Sequence, residues 1–391
     1  MLVRWKQDAV EHLTLQSLGD RLPHWKSAVP ESGECTDEHA WGLPSLFSRI
    51  RNLLNSKLVW RILLIIATIL LLANVVRPTR NAYQQYGWAA KNGSETLVHY
   101  TQEVDWTQYV YAQYVTNDAY LCNSIMIFTS LRKLGVRADL LMMHPEGWSA
   151  GNDTVSGRLL LQAIELGVRL APVHVQHLEG GDSTWADSFT KLLAFNQTQY
   201  KRVLHLDSDG TVLGLMDELF FLPSAPVAMP RAYWLEEHTR VLSSQLVLIE
   251  PSAKEFDRIL DSLRHRTSQQ FDMEIVNDLY GDSCFIIPHR QYDLLTGELK
   301  ADDHSKYLGS SDETWDVQAI MNETKFVHFS DWPYPKPWLP ASDEQKEVAA
   351  PKCTVISDGE LDCRDREAWH WLYEDFRRRR VQVCGDAFKS T

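Results

Sequence analysis

"KRVLHLDSDGTVLG", residues 201–214, ends an apolar run in two carboxylates, Asp207 and Asp209, one residue apart. In extended backbone, residues i and i+2 point to the same side, so the two acids converge on one point. Like charges that close repel, and burying either one alone is costly. A hard divalent cation, manganese or magnesium, supplies the missing positive charge and commonly shares its shell with substrate phosphates. The competing reading is a plain β-turn, for which Asp-Ser-Asp-Gly has suitable chemistry. Context favours the metal. No G-x-G-x-x-G dinucleotide fingerprint and no G-x-x-x-x-G-K-[ST] phosphate loop occurs in the chain.

Working outward, strands and helices alternate. "VYAQYVT" (110–116) reads as a strand. A helix follows with Leu121, Ile125, Phe128 and Leu131 or Leu134 at helical spacing, Asp118 as N-cap and Gly135 as stop. Residues 138–144 form a second strand, "GRLLLQAIELG" a second helix closed by Gly167, and 168–175 a third strand. "DSFTKLLAFNQTQ" gives a third helix and 201–206 a fourth strand. Such alternation predicts an α/β fold with a mostly parallel sheet and helices on both faces. Ligands of such sheets sit at the carboxyl ends of strands, where Asp207 and Asp209 fall.

The second half is mixed. "LSSQLVLIEPS" (242–252) is a strand running into a helix whose Ser252 and Glu255 have capping-box spacing. That helix carries Phe256, Ile259, Leu260 and Leu263 on one face. A short strand leads into "HFSDWPYPKPW" (328–338). There His328 is a candidate metal ligand, and Lys336 is a point charge suited to phosphate. Trp332, Tyr334 and Trp338 either wall a sugar or pack. The run of four arginines at 377–380 reads as a solvated helix end, with a patch for an anionic partner as the alternative.

The 391 residues carry a net charge of −13, and residues 1–57 sum to zero, so the excess acid lies beyond residue 76. An acidic body argues against nucleic acid as a partner. Leu58–Val76 is a nineteen-residue apolar run, long enough to cross a thin membrane as one helix. Basic residues on its N-terminal side predict a cytosolic tail (1–57), a signal anchor (58–76) and a lumenal remainder. Four N-glycosylation sequons, at Asn92, Asn152, Asn196 and Asn322, all follow the span. Residues 77–107 read as a stem, 108–340 as the catalytic domain, and 341–391 as a cysteine-containing extension. Cys353, Cys363 and Cys384 cluster there as a lumenal disulfide requires; Cys122 and Cys284 read as core, and Cys35 as free.

Four motifs occur in order: "YVTNDAY" (114–120), "SFTKLLAFNQTQYKRVLHLDSDGTVL" (188–213), "SSQLVLIEPS" with "DMEIVN" (243–252, 272–277), and "HFSDWPYPKPW". The set resembles the glycogenin-like, family-eight retaining glycosyltransferases over about residues 110–340. Within that group, "WADSFTKLLAFNQTQY", "PVAMPRAYWL" and "DMEIVNDLY" look like the fungal Golgi N-acetylglucosaminyltransferases, also labelled glucose N-acetyltransferase. The resemblance implies a Rossmann-like, GT-A type fold for nucleotide-diphospho-sugar transfer. It implies UDP-N-acetylglucosamine as donor, a mannose-containing glycan as acceptor, Mn²⁺ (or Mg²⁺) as cofactor and a Golgi membrane location. Thr116, Asn117 and Tyr120 would contact the uridine, and Lys191 the donor phosphate or sugar. Asp207, Asp209 and His328 would hold the metal. Lys336 would grip the diphosphate, and Asp272 would approach the donor sugar. The chain departs from the group at Met273-Glu274, where an Asp-Gln-Gly triplet is usual, and at Ser330-Asp331. Transfer of another UDP-sugar, glucose or galactose, and a non-catalytic glycan-binding role are the alternatives. The intact site residues favour an enzyme.

Overall fold

A computed structural model describes residues 104–176, 187–235, 240–267, 270–356 and 359–388. The expected tail, membrane anchor and nearly all of the stem lie outside the described residues. Among the described residues, no helix is long and apolar enough to cross a membrane.

A seven-stranded sheet forms the centre, in the order β3-β2-β1-β4-β7-β6-β8. β1 (Tyr109–Tyr114), β2 (Asp139–Pro145), β3 (Val168–Val173) and β4 (Arg202–Leu206) run parallel. The helices between them are α1 (Asp118–Lys133) and α2 (Val155–Glu165). β6 (Val227–Pro230), β7 (Leu246–Ile249) and β8 (Phe285–Ile287) complete it, with β7 antiparallel to both β4 and β6. The mostly parallel α/β architecture expected from the alternation is therefore present. α3 (Ala253–His265) and α4 (Asp272–Tyr280) follow β7.

Period-two alternation sorts the strand residues into two buried layers. Tyr111, Leu204, Leu206, Leu246 and Leu248 pack with Leu121, Ile125 and Phe128 of α1 on one face. Val110, Ala112, Val203, Val247 and Ile249 pack with Phe189, Leu192, Phe195 and Ile259 on the other. Leu134 is exposed, so Leu131 completes the apolar stripe of α1. The helix is capped by Asn117 rather than Asp118: the Asn117 side chain accepts from the backbone N–H of Ala119 and Tyr120 at 3.0 and 3.1 Å. Gly135 and Gly167 take left-handed φ values of 82° and 73°, which suits glycine at helix ends.

The third helix expected from sequence is a 3-10 segment, Ser188–Asn196. Its large apolar residues, Phe189, Leu192 and Phe195, recur every three positions, the period of a 3-10 turn.

A second sheet, β5-β10-β9, lies beyond the end of β4, built from β5 (Gly210–Val212), β9 (Leu294–Leu295) and β10 (Phe326–His328). Next come α5 (Asp343–Ala349) and a two-stranded hairpin of β11 (Thr354–Val355) and β12 (Leu361–Asp362). The long helix α6 (Arg364–Cys384) then packs Trp369, Leu372, Tyr373 and Phe376 into the main core. Two disulfides are present, Cys353–Cys363 and Cys122–Cys384. Cys122 is thus a cross-link to the C-terminus rather than simple core packing, while Cys284 is free.

The arginine run also differs from its expected solvated state. Arg380 is buried and hydrogen-bonds Asn123 and the Ala119 carbonyl. Arg379 reaches Thr211 at 2.7 Å, and Arg377 reaches Tyr334 at 3.1 Å. Of the four, Arg378 alone is exposed. The stripe Trp369, Tyr373, Phe376, Arg380 follows helical spacing, and that spacing was the sequence signal for Arg380 facing inward.

Candidate active site

The β4–β7 pairing continues one residue past the strand end, where Asp207 N donates to Gln245 O at 2.9 Å. The chain then turns through Ser208 and Asp209 into β5, which runs antiparallel to β10 with Gly210 opposite His328. Glycine is required there. A Cβ at Gly210 would meet the Phe326 ring at 2.4 Å and the Val327 carbonyl at 2.8 Å. This close approach, sealed by Phe329 N donating to Asp209 O at 3.0 Å, brings His328 onto Asp209.

One ligand atom from each of Asp207, Asp209 and His328 lies within 4.8 Å of the others. Two carboxylates and an imidazole match the donor preferences of Mn²⁺, and the carboxylates those of Mg²⁺. Burial depresses His328 against the pull of Asp209, the direction that favours the neutral ring a ligand needs. Its Nδ1 is buried with no hydrogen-bond partner. Burial, with the Asp209 and Asp272 charges, pushes the Asp207 carboxyl up to about 7 against the opposing Lys191. The cluster is therefore short of positive charge, and the residues present fit a divalent cation.

Two lysines share the site. Lys336 Nζ sits 2.8 Å from Asp209 Oδ2 and donates to the Phe329 carbonyl. Burial alone would raise the Asp209 carboxyl, yet His328 and Lys336 hold it well below the usual range. Lys191, from the 3-10 segment, is almost wholly buried and bridges Asp207 Oδ1 at 2.7 Å and Asp272 Oδ2 at 2.8 Å. Asp272 opens α4, where Glu274 folds back onto Phe271 N at 3.0 Å and Ser244 Oγ donates to Asp272 at 2.8 Å. The Met273-Glu274 departure thus leaves the position of Asp272 defined. Burial opposes the charge on Asp272, but Lys191 outweighs it and keeps this carboxyl below its ordinary value.

Tyr120 also belongs here: burial, then Asp209 and Asp207, raise its hydroxyl. It meets Trp338 edge-on at 5.6 Å. Thr116 is half-buried two residues beyond the end of β1, and Asn117 is exposed with its oxygen engaged in the cap.

Three features escaped the sequence reading. Tyr114 stacks on His205 at 5.6 Å, and its hydroxyl is raised by burial while feeling Lys191, Asp207 and Asp272. Asp293, ahead of β9, is fully buried. Burial pushes it up to about 7, with a hydrogen bond from Ser243 opposing and the Asp207 charge adding. Finally, α6 braces the lysine loop. The buried Asp331 accepts from Trp369 Nε1 at 3.1 Å and Tyr373 OH at 2.8 Å, and Arg377 donates to the Pro337 carbonyl at 3.2 Å. Asp331, the other departure from the family pattern, is thus the residue that fastens the loop to this chain's C-terminal helix.

The parallel half-sheet, the antiparallel β7 beside β4, and a D-x-D pair joined by histidine and lysine at the strand end make this a GT-A-like α/β fold of the glycosyltransferase kind. No protein-family model matches the chain. Glucose N-acetyltransferase 1 of Gibberella zeae is 51% identical over 296 residues, which cover 73% of this chain and 65% of that protein. The chain thus spans just under two thirds of that relative. Glucose N-acetyltransferase 1 of Aspergillus fumigatus is 45% identical over 301 residues, 72% of this chain and 78% of that protein. Among solved structures, the apo WbbM bifunctional glycosyltransferase gives a TM-score of 0.47 at 14% identity, covering 72% of this chain and 51% of that one. The chain belongs to the fungal glucose N-acetyltransferase 1 family.

Proposed function

We propose that the protein is a Golgi type II membrane N-acetylglucosaminyltransferase. It transfers N-acetylglucosamine from UDP-N-acetylglucosamine to mannose residues of glycans, with retention and dependence on Mn²⁺. The observation that carries this reading is the convergence of Asp207, Asp209 and His328 beside Lys336 at the carboxyl end of β4. The names of the curated relatives support the sugar. The apolar run 58–76 supports the anchor, and the sequons beyond it support the lumenal side.

A divalent ion held by Asp207, Asp209 and His328 would act as a Lewis acid toward the donor diphosphate. The chain's own residues do the rest. Lys336 places a cation where negative charge grows as the diphosphate departs. Tyr120, at the N-terminal end of α1 and beside the two aspartates, borders the space for the nucleotide. Asp272 faces the sugar with a fixed, ionised carboxylate that stabilises positive charge on the anomeric carbon. Lys191 already neutralises part of that carboxylate at 2.8 Å, which weakens it as a nucleophile. This favours same-face transfer, in which the acceptor hydroxyl bonds the anomeric carbon and gives its proton to the leaving diphosphate.

Release of UDP from a panel of UDP-sugars, with Mn²⁺ and with or without mannosides, tests the reading. Turnover highest with UDP-N-acetylglucosamine and raised by mannosides is expected. No turnover with any donor would overturn it.

A further inference from the structure

The loop between His328 and Lys336 divides its aromatic residues unequally. Tyr334 is 7% exposed and packs on Trp369 and Tyr373. Trp338 packs on Tyr120 and Phe376. Trp332 is 51% exposed. Solvent exposure of a large indole is costly on a loop that buries its other rings. Beside it opens a cavity of ≈ 700 Å³, bounded by Trp332 and Pro333, by Trp315, and by residues of α5 and the β11–β12 hairpin. That volume falls within the range of small-ligand sites, about 300–1,000 Å³, and exceeds what a single sugar ring fills.

We propose that this cavity is a subsite for a neutral oligosaccharide acceptor, with Trp332 as the surface on which one ring stacks. The proposal rests on the transferase reading above. Its far wall is preformed: Trp315 stacks on His304 with ring centroids 3.8 Å apart, and its Nε1 donates to Asp365 at 2.7 Å. The charges of the cavity largely cancel. Lys300 is taken by Asp331 at 2.6 Å, and Arg364 by Asp362 at 2.7 Å. Asp302 and Lys352 have no ion-pair partner among the described residues and face the same space. An anionic ligand would meet four carboxylates, Asp302, Asp331, Asp362 and Asp365, against three cations, Lys300, Lys352 and Arg364, whereas hydroxyl groups both donate to carboxylates and accept from lysine. An exposed indole supplies an apolar face for the C–H side of a pyranose and a polar tip for its rim.

Position completes the argument. Trp332 is four residues from both His328 and Lys336, so its Cα lies at most about 15 Å from either. A ring stacked on Trp332 is therefore within a few sugar lengths of the diphosphate site, where the next ring of the same glycan would present its hydroxyl. Val348, 83% exposed on α5, forms the outer lip.

The test uses Trp332→Ala and Trp332→Phe in the full chain. UDP release is followed against mannotriose, cellotriose and chitotriose as acceptors, and binding of the same three by saturation-transfer NMR. Expected for Trp332→Ala is at least a tenfold rise in KM for whichever trisaccharide is used, with KM for the sugar nucleotide within twofold. Trp332→Phe should recover most of the loss. An unchanged acceptor KM with normal turnover overturns the subsite and leaves the transferase reading standing. If no sugar nucleotide turns over, the transferase reading falls and the NMR arm decides the subsite alone. Trisaccharide binding lost in Trp332→Ala upholds it; no binding, or equal binding in the variant, overturns it.

Discussion

Replacing Asp293 with asparagine should stabilise the protein, by an amount that depends on pH. Asp293 is fully buried, and burial lifts its carboxyl from 3.8 to about 7 against a hydrogen bond from Ser243. The folded chain therefore holds this proton more tightly than the unfolded chain does. Below 3.8 the group is neutral in both states and costs nothing through ionisation. Between 3.8 and about 7 the unfolded state gains stability by ionising while the folded state does not. Above 7 the penalty is constant, at about 4 kcal/mol. Asparagine is neutral throughout and has nearly the same shape, so its own burial cost cancels when two pH values are compared. Urea denaturation in EDTA should thus show the variant's gain to be larger by about 3–4 kcal/mol at about pH 8 than at about pH 4. A stability difference that does not change with pH would refute the account of a proton-holding carboxyl under the metal site.

Other consequences concern the parts that assemble the site. Lys191→Met leaves Asp207 and Asp272 buried without their shared cation, so unfolding in urea should come about 3–5 kcal/mol sooner. An unchanged midpoint would mean that the bridge does not form. Gly210→Ala forces a methyl into the Phe326 ring and Val327 carbonyl. It should cost about 1–3 kcal/mol by overpacking and weaken Mn²⁺ binding measured by electron paramagnetic resonance, because β10 carries His328. Arg377→Ala removes two hydrogen bonds that hold the Lys336 loop to α6. KM for the sugar nucleotide should rise several-fold; an unchanged KM would mean that these bonds do not position Lys336.

Much of the site could be read locally. Asp207 and Asp209 announce themselves because period-two geometry and charge repulsion are properties of a five-residue stretch. Asp272, His328 and Lys336 carried little signal alone and became legible through the order of motifs around them. What could not be read depends on partners far away in sequence. The Cys122–Cys384 bond spans 262 residues, and no spacing rule pairs them. Arg380 looked solvated because its partners, Ala119 and Asn123, lie on another helix. Asp293 carries no sequence signal, since only burial makes it unusual. The 3-10 segment was mistaken for an α-helix although Phe189, Leu192 and Phe195 recur at a period of three, because a short apolar run fits either period. Trp332, Tyr334 and Trp338 read alike in sequence; packing against α6 distinguishes the exposed one from the two that are covered.

The most direct test of the central claim is calorimetric titration of UDP into the protein with Mn²⁺, with EDTA, and with Mn²⁺ in Asp209→Ala. If a divalent ion joins the Asp207–Asp209–His328 cluster to a sugar-nucleotide diphosphate, UDP binds in the first case and loses at least tenfold in affinity in the other two. Equal affinity in all three would contradict it.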